Sequence, residues 1–137
     1  MKVLSLTEPY ATCILNGVKK IETRSWKTAY RGPLLIHASA TRIPPEYRKN
    51  AALMALIDPG SLHFGHIICS CVLADCIPMT ADFIEEIRRT QPDEYAAGVY
   101  AEGRYAWLLS DIRPLPEPIP AKGHLGLWEY HSTSEGF

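Results

Sequence analysis

Residues 17–26 read Gly-Val-Lys-Lys-Ile-Glu-Thr-Arg-Ser-Trp. They follow a stretch with an apolar stripe at helical spacing, Tyr10, Ala11, Ile14 and Leu15, and Pro9 suits the first turn of that helix. Gly17 is then a natural C-terminal stop. Beyond it, Lys20 to Trp26 reads as a strand, on which residues two apart share a face. Glu22, Arg24 and Trp26 therefore point one way, and Ile21, Thr23 and Ser25 the other. A carboxylate, a guanidinium and an indole are odd on a barrel interior and sensible on a pocket wall. Lys19 lies on the turn before the strand, where its amine reaches the same mouth. The plainer alternative is an intrastrand Glu22–Arg24 pair on an exposed strand, with Trp26 in the core, and spacing alone leaves both open.

Outward from this segment, Lys2–Leu6 alternates as an opening strand, and Pro33–Ala38 forms another after a Tyr30-Arg31-Gly32 turn. Pro44-Pro45 opens a helix running to about Ile57, which Asp58-Pro59-Gly60 breaks. Ile67–Cys76 is a long strand, apolar on both faces as in a covered sheet. Ala81–Thr90 is an amphipathic helix with Phe83, Ile84 and Ile87 inward. Tyr105–Ile112 is a strand. Pro114, Pro116, Pro118 and Pro120 then alternate with Leu115, Glu117 and Ile119, which predicts an extended edge-like connection rather than a central strand. Gly126–Tyr130 closes as a short strand. Short strands with two or three helices between them predict an α+β fold, a small mixed β-barrel with peripheral helices. Nothing repeats and no linker divides the chain, so residues 1–131 are expected to form a single domain and residues 132–137 a loose tail.

The 137 residues suffice for one hydrophobic core, and 47% apolar with 21% charged residues excludes a disordered chain. No signal peptide or membrane-spanning run is evident, so a cytoplasmic location and no membrane association are expected. Cys69 and Cys71 share a face of an apolar strand and read as core thiols. His66 and Cys69 fall on opposite strand faces, which argues against a zinc site with His63; no metal or cofactor is expected. Net charge is -1, yet residues 19–49 carry eight basic and two acidic residues, a local +6 against -7 elsewhere. That asymmetry fits either a phosphate-binding face or a solvated basic surface.

Several motifs together carry a family likeness. Ser5-Leu6, Pro9-Tyr10-Ala11, Gly17-x-Lys19-x-x-Glu22-x-Arg24-Ser25-Trp26, Tyr30-Arg31-Gly32-Pro33-Leu34 and Ile36-His37-Ala38 resemble the ASCH (activating signal cointegrator homology) domain. So do Gly65-x-Ile67, Asp75-Cys76, Tyr105-Ala106-Trp107, Pro118-Ile119, Lys122-Gly123 and Gly126-Leu127-Trp128. The resemblance covers nearly the whole chain. It implies a PUA-like fold and a cleft where the first helix meets the Lys-Glu-Arg segment. By the family pattern, Lys19, Glu22 and Arg24 line that cleft, Ser5, Pro9 and Tyr10 lie nearby, and His37 is a further candidate. Lys122 and Trp128 border the cleft or finish the barrel, while Trp107 and Trp128 read as core.

These residues are expected to bind RNA, single-stranded nucleic acid, or a nucleoside or nucleotide. Lys19, Lys20 and Arg31 would meet phosphates. A base would enter near Tyr10, Glu22 and Arg24, with Trp26 as a stacking surface. The resemblance also implies an enzyme alternative, because some small ASCH-like proteins hydrolyse the amide of N4-acetylcytidine with a Lys-activated Thr and a distant Glu. Lys19 matches that Lys, but Glu22 stands at the Thr position, and Thr23 faces the other way. Glu22 would then activate water while Lys19 or Arg24 steadies the oxyanion. The distant Glu would be Glu85, Glu86 or Glu94. A ribonuclease, or an interaction module in a transcription or translation assembly, completes the family's range.

Overall fold

Gly17 takes φ +84°, a left-handed conformation that residues with a Cβ adopt only at a cost, and the first helix ends there. The computed structural model describes residues 1–131; the expected tail at 132–137 lies outside the described residues. The elements run β1 (Lys2–Leu6), α1 (Tyr10–Leu15), β2 (Ile21–Arg24), β3 (Gly32–Ala38), α2 (Pro45–Arg48) and α3 (Ala51–Met54). A 3-10 turn (Pro59–Ser61) leads to β4 (His66–Pro78), α4 (Ala81–Thr90), α5 (Pro92–Ala96), β5 (Tyr105–Pro120) and β6 (Leu127–Glu129).

The six strands form one mixed sheet, ordered β2-β5-β4-β3-β1-β6 and curled into a half-barrel. Among the described residues, β1 and β3 are the one parallel pair. Three register shifts between β4 and β5 insert extra residues, and such bulges bend long strands. Both faces of the central strands are covered. Leu4, Leu6, Leu34, Ile36 and Cys69 pack with Ile14 and Trp107 on one side. Val3, Leu35 and Ile67 pack against Trp128 and Ile119 on the other. That double burial explains the two-faced apolar run in β4.

Three elements differ from the sequence reading. The stretch 45–57 is two single-turn helices, because the Asn50 side chain accepts the Leu53 N–H and starts a new helix. Pro92–Ala96 is an additional short helix. The proline run continues β5 and pairs with β4 at Pro114 and again at Ile119 and Pro120, with residues 115–118 falling in a register shift between them. The edge character holds on one side only. β2 covers β5 just at Tyr105–Leu108, so the later prolines sit where the other side of the strand has no partner to miss an N–H. Among the described residues, no helix is long and apolar enough to cross a membrane.

Candidate functional site

The site begins with a buried cation. Lys19 follows the Gly17 turn, and its side chain runs beneath β2 rather than out to solvent, with no exposed surface. Its Nζ donates to the carbonyls of Ile21 and Ala97, both at 2.6 Å, and lies 3.3 Å from Glu22 Oε1 and 5.2 Å from the centre of the Tyr10 ring. Two of the three N–H groups of the ammonium are thus satisfied by backbone carbonyls, and the Glu22 carboxylate balances its charge. From α5, Glu94 takes the backbone N–H groups of Lys20 and Ile21 at 2.7 and 3.2 Å, fixing the start of β2. Burial pushes the Glu94 carboxyl up; those two N–H groups and the Lys19 charge oppose the shift. Glu85 and Glu86 are exposed on α4 and paired with Arg88 and Arg89.

Glu22 and Arg24 share a face of β2, as strand alternation requires. The Glu22 Oε2 accepts from Arg24 Nε at 2.8 Å, and Arg24 Nη2 donates to the Ser5 carbonyl at 2.9 Å. Glu22 is thus held between two cations while its residual surface looks into a cleft of about 220 Å³. Among the described residues, three of the five Arg24 N–H groups have no protein acceptor. The cleft is lined by Tyr10, Tyr47, Trp26, Glu22, Arg24 and Arg104 among others. Tyr10 and Tyr47 meet edge to face at 5.1 Å. Burial first, then Tyr47 and Glu22, raise the Tyr10 hydroxyl far above its ordinary pKa. Trp26 is 37% exposed and stands edge-on to Trp107, with ring centres 4.8 Å apart.

Tyr10, Glu22, Arg24 and Trp26 therefore converge, whereas Lys19 lies below them. Pro9 is buried at the start of α1. Arg31 is committed to Asp75 and to the Thr28 and Tyr30 carbonyls, and it does not line the cleft. Lys20 faces separate hollows beside α5 and β5. Part of the local +6 is consequently spent inside the protein or on ion pairs. Sequence reasoning missed Tyr47 and Arg104. Arg104 sits just before β5 and donates to the Val99 and Thr23 carbonyls. Thr23 is turned away from Glu22, and its Oγ1 accepts the Val99 N–H at 3.0 Å.

Ser5 and His37 form a second polar knot. The Ala121 carbonyl can only accept, so the His37 Nε2 at 2.7 Å carries the proton, and Nδ1 accepts from the Ser5 hydroxyl at 2.9 Å. Trp128 Nε1 donates to the same Ser5 oxygen at 3.0 Å. Gly123 closes over the knot, where a Cβ would stand 2.9 Å from both His37 Cε1 and Ser5 Oγ. Burial lowers the His37 pKa from its ordinary 6.5, with the Ala121 contact opposing. The unfolded chain then binds the proton more readily, so stability from this site is complete above pH 6.5 and is lost as pH falls toward the folded pKa. Urea midpoints compared at about pH 7.5 and about pH 5.5 are expected to drop in the native chain, and to drop less in His37→Gln.

The model of the ASCH domain matches residues 4–118. Activating signal cointegrator 1 from Mus musculus and from Homo sapiens are each 26% identical over 132 residues, covering 94% of this chain and 22% of theirs. The chain thus spans about a fifth of the length of these curated relatives. Among solved structures, ASCH from Zymomonas mobilis aligns with a TM-score of 0.52 at 22% identity, over 87% of this chain and 72% of that one. A mutant of the Zymomonas mobilis protein gives 0.53 at 19%, over 87% and 74%. These structures are alike in fold.

Proposed function

The chain belongs to the ASCH domain family, and on that premise we propose that it binds RNA or another single-stranded nucleic acid by taking a nucleobase into the cleft above Glu22 and Arg24. The observation that carries this reading is the locked carboxylate–guanidinium pair between aromatic walls. Glu22 presents acceptor oxygens already oriented by Lys19 and Arg24. A carboxylate in that state accepts from an exocyclic base amine, as on cytosine. Beside it, the remaining Arg24 N–H groups donate to a ring nitrogen, a base carbonyl or a phosphate. Trp26, with 37% of its surface exposed, offers the stacking face. A cleft of about 220 Å³ is below the size of drug-scale pockets and suits one flat ring system.

The contacts of Lys19 and Thr23 favour binding over hydrolysis. The Lys19 ammonium donates to two backbone carbonyls and pairs with the Glu22 carboxylate rather than contacting a hydroxyl. A nucleophile must lie within hydrogen-bond reach of its base.

The test is titration of short single-stranded RNA into the native chain and the variants Arg24→Met and Trp26→Ala, with circular dichroism as a fold control. Loss of the stacking face is expected to cost about 1–3 kcal/mol, roughly a 5- to 150-fold weakening. Arg24→Met should weaken binding at least tenfold. RNA binding that ignores both substitutions, or no RNA binding by the folded chain, overturns the proposal.

A further inference from the structure

A second cavity, of about 530 Å³, opens beside the first. Thr7 and Arg24 line both, so Arg24 stands at the passage between them. We propose that this second cavity is the subsite for the nucleotide adjoining the one in the cleft, so that the ligand is a strand of at least two nucleotides rather than a free nucleoside. The inference rests on the cleft reading above and extends it.

The chemistry of the walls suits a sugar-phosphate backbone. Arg24, Lys122 and His124 line the cavity with the hydroxyl residues Ser39 and Thr41, and no carboxylate residue is among its described lining. Lys122 is exposed and makes no hydrogen bond or ion pair among the described residues, so its charge is uncommitted, unlike that of Lys19 or Arg31. The Lys122–Gly126 loop is held at its base by the His37–Ala121 bond and by Gly123 packed on Ser5. Within it, the backbone N–H groups of Lys122, Gly123, His124 and Leu125 donate to no protein acceptor among the described residues. Free N–H groups beside a lysine are phosphate donors. At the tip, Leu125 is 98% exposed, and the His124 ring stands 5.0 Å from Trp128, giving apolar and ring surface for a second base or ribose.

Ser5 joins the two cavities. Its carbonyl orients Arg24 on the cleft side, and its hydroxyl ties His37 and Trp128 beneath the loop. A strand leaving the cleft over Arg24 therefore meets Lys122 next.

The deciding experiment measures the anisotropy of labelled random-sequence RNA hexamers, with a mixture of ribonucleoside 5′-monophosphates as competitor. Native chain, Lys122→Ala and the exposed control Lys49→Ala are compared across a salt series. Hexamers are expected to bind at least tenfold tighter than monophosphates. Lys122→Ala should weaken hexamers roughly three- to tenfold and flatten the log–log salt slope by about 0.7, leaving monophosphate competition and the Lys49→Ala titration unchanged. If hexamers and monophosphates bind alike and Lys122→Ala is silent, the second subsite is wrong while the cleft reading stands. Equal losses in Lys122→Ala and Lys49→Ala also overturn it, because the effect is then diffuse charge. If neither ligand binds, both readings fall.

Discussion

Lys19→Met is expected to lose about 3–5 kcal/mol of stability, the usual result of removing one partner from a buried ion pair. The urea midpoint should fall with its slope unchanged. Methionine nearly preserves the volume of lysine, so the loss does not come from a cavity. It comes from what the ammonium leaves behind. The Ile21 and Ala97 carbonyls lose donors at 2.6 Å, and Glu22, 5% exposed, keeps only Arg24. A buried carboxylate without its counter-charge is far costlier than one never buried. The double variant Lys19→Met/Glu22→Leu removes the stranded charge and should recover part of the loss, while Glu22→Leu alone should be strongly destabilising because it strands Lys19. A lysine serving only chemistry would behave differently: its removal would abolish turnover and leave the midpoint in place. Native stability in Lys19→Met contradicts the structural role given to it here.

The same residue marks where sequence reading stops. Alternation placed Glu22 and Arg24 on one face because a strand's period is a local property. The direction of Lys19 is not local. It depends on the Ala97 carbonyl, which arrives from the far end of α5, and on Glu94 holding the backbone of Lys20 and Ile21 from the same helix. Nothing near residue 19 encodes that approach. Tyr47 and Arg104 enter the cleft in the same way, from segments joined to β2 only through the fold. Glu94 looks like Glu85 or Glu86 in sequence, yet it alone of the three is buried.

Elements were legible wherever a strong stop signal coincided with a clear period. Ala81–Thr90 is helical over the expected span, with Thr80 accepting the Phe83 N–H as its N-cap. Gly17 ends α1. Two competing signals in one segment were harder. Asn50 restarts a helix inside a run whose apolar residues suggest continuity. A proline is excluded where its missing N–H would face a paired edge, and among the described residues β2 leaves one edge of β5 open past Leu109. The sheet order, which decides that edge, is a tertiary fact.

Trp107 shows how the core and the cleft depend on each other. It is fully buried at the centre of the main cluster, stands opposite Glu22 in the β2–β5 register, and supports Trp26 from below. Trp107→Ala is expected to cost about 3–5 kcal/mol through lost burial and a large cavity. Trp107→Phe separates the ring from its polar handle. Phenylalanine retains most of the apolar volume but lacks the Nε1–H that donates to the Trp26 carbonyl at 3.3 Å. That bond is long, so its loss should cost only about 0.5–1.5 kcal/mol of stability. The effect on ligand is expected to be larger than the effect on the fold. Trp26 is the exposed wall of the cleft, and the carbonyl bond and the edge-on contact with Trp107 both hold its position. Loosening that wall makes the chain pay ordering entropy on binding. Trp107→Phe should therefore weaken single-stranded RNA at least threefold while remaining folded at room temperature, and Trp26→Ala in the Trp107→Phe background should add less than it does alone. Fully additive losses would mean that Trp107 acts on the ligand by a route other than Trp26.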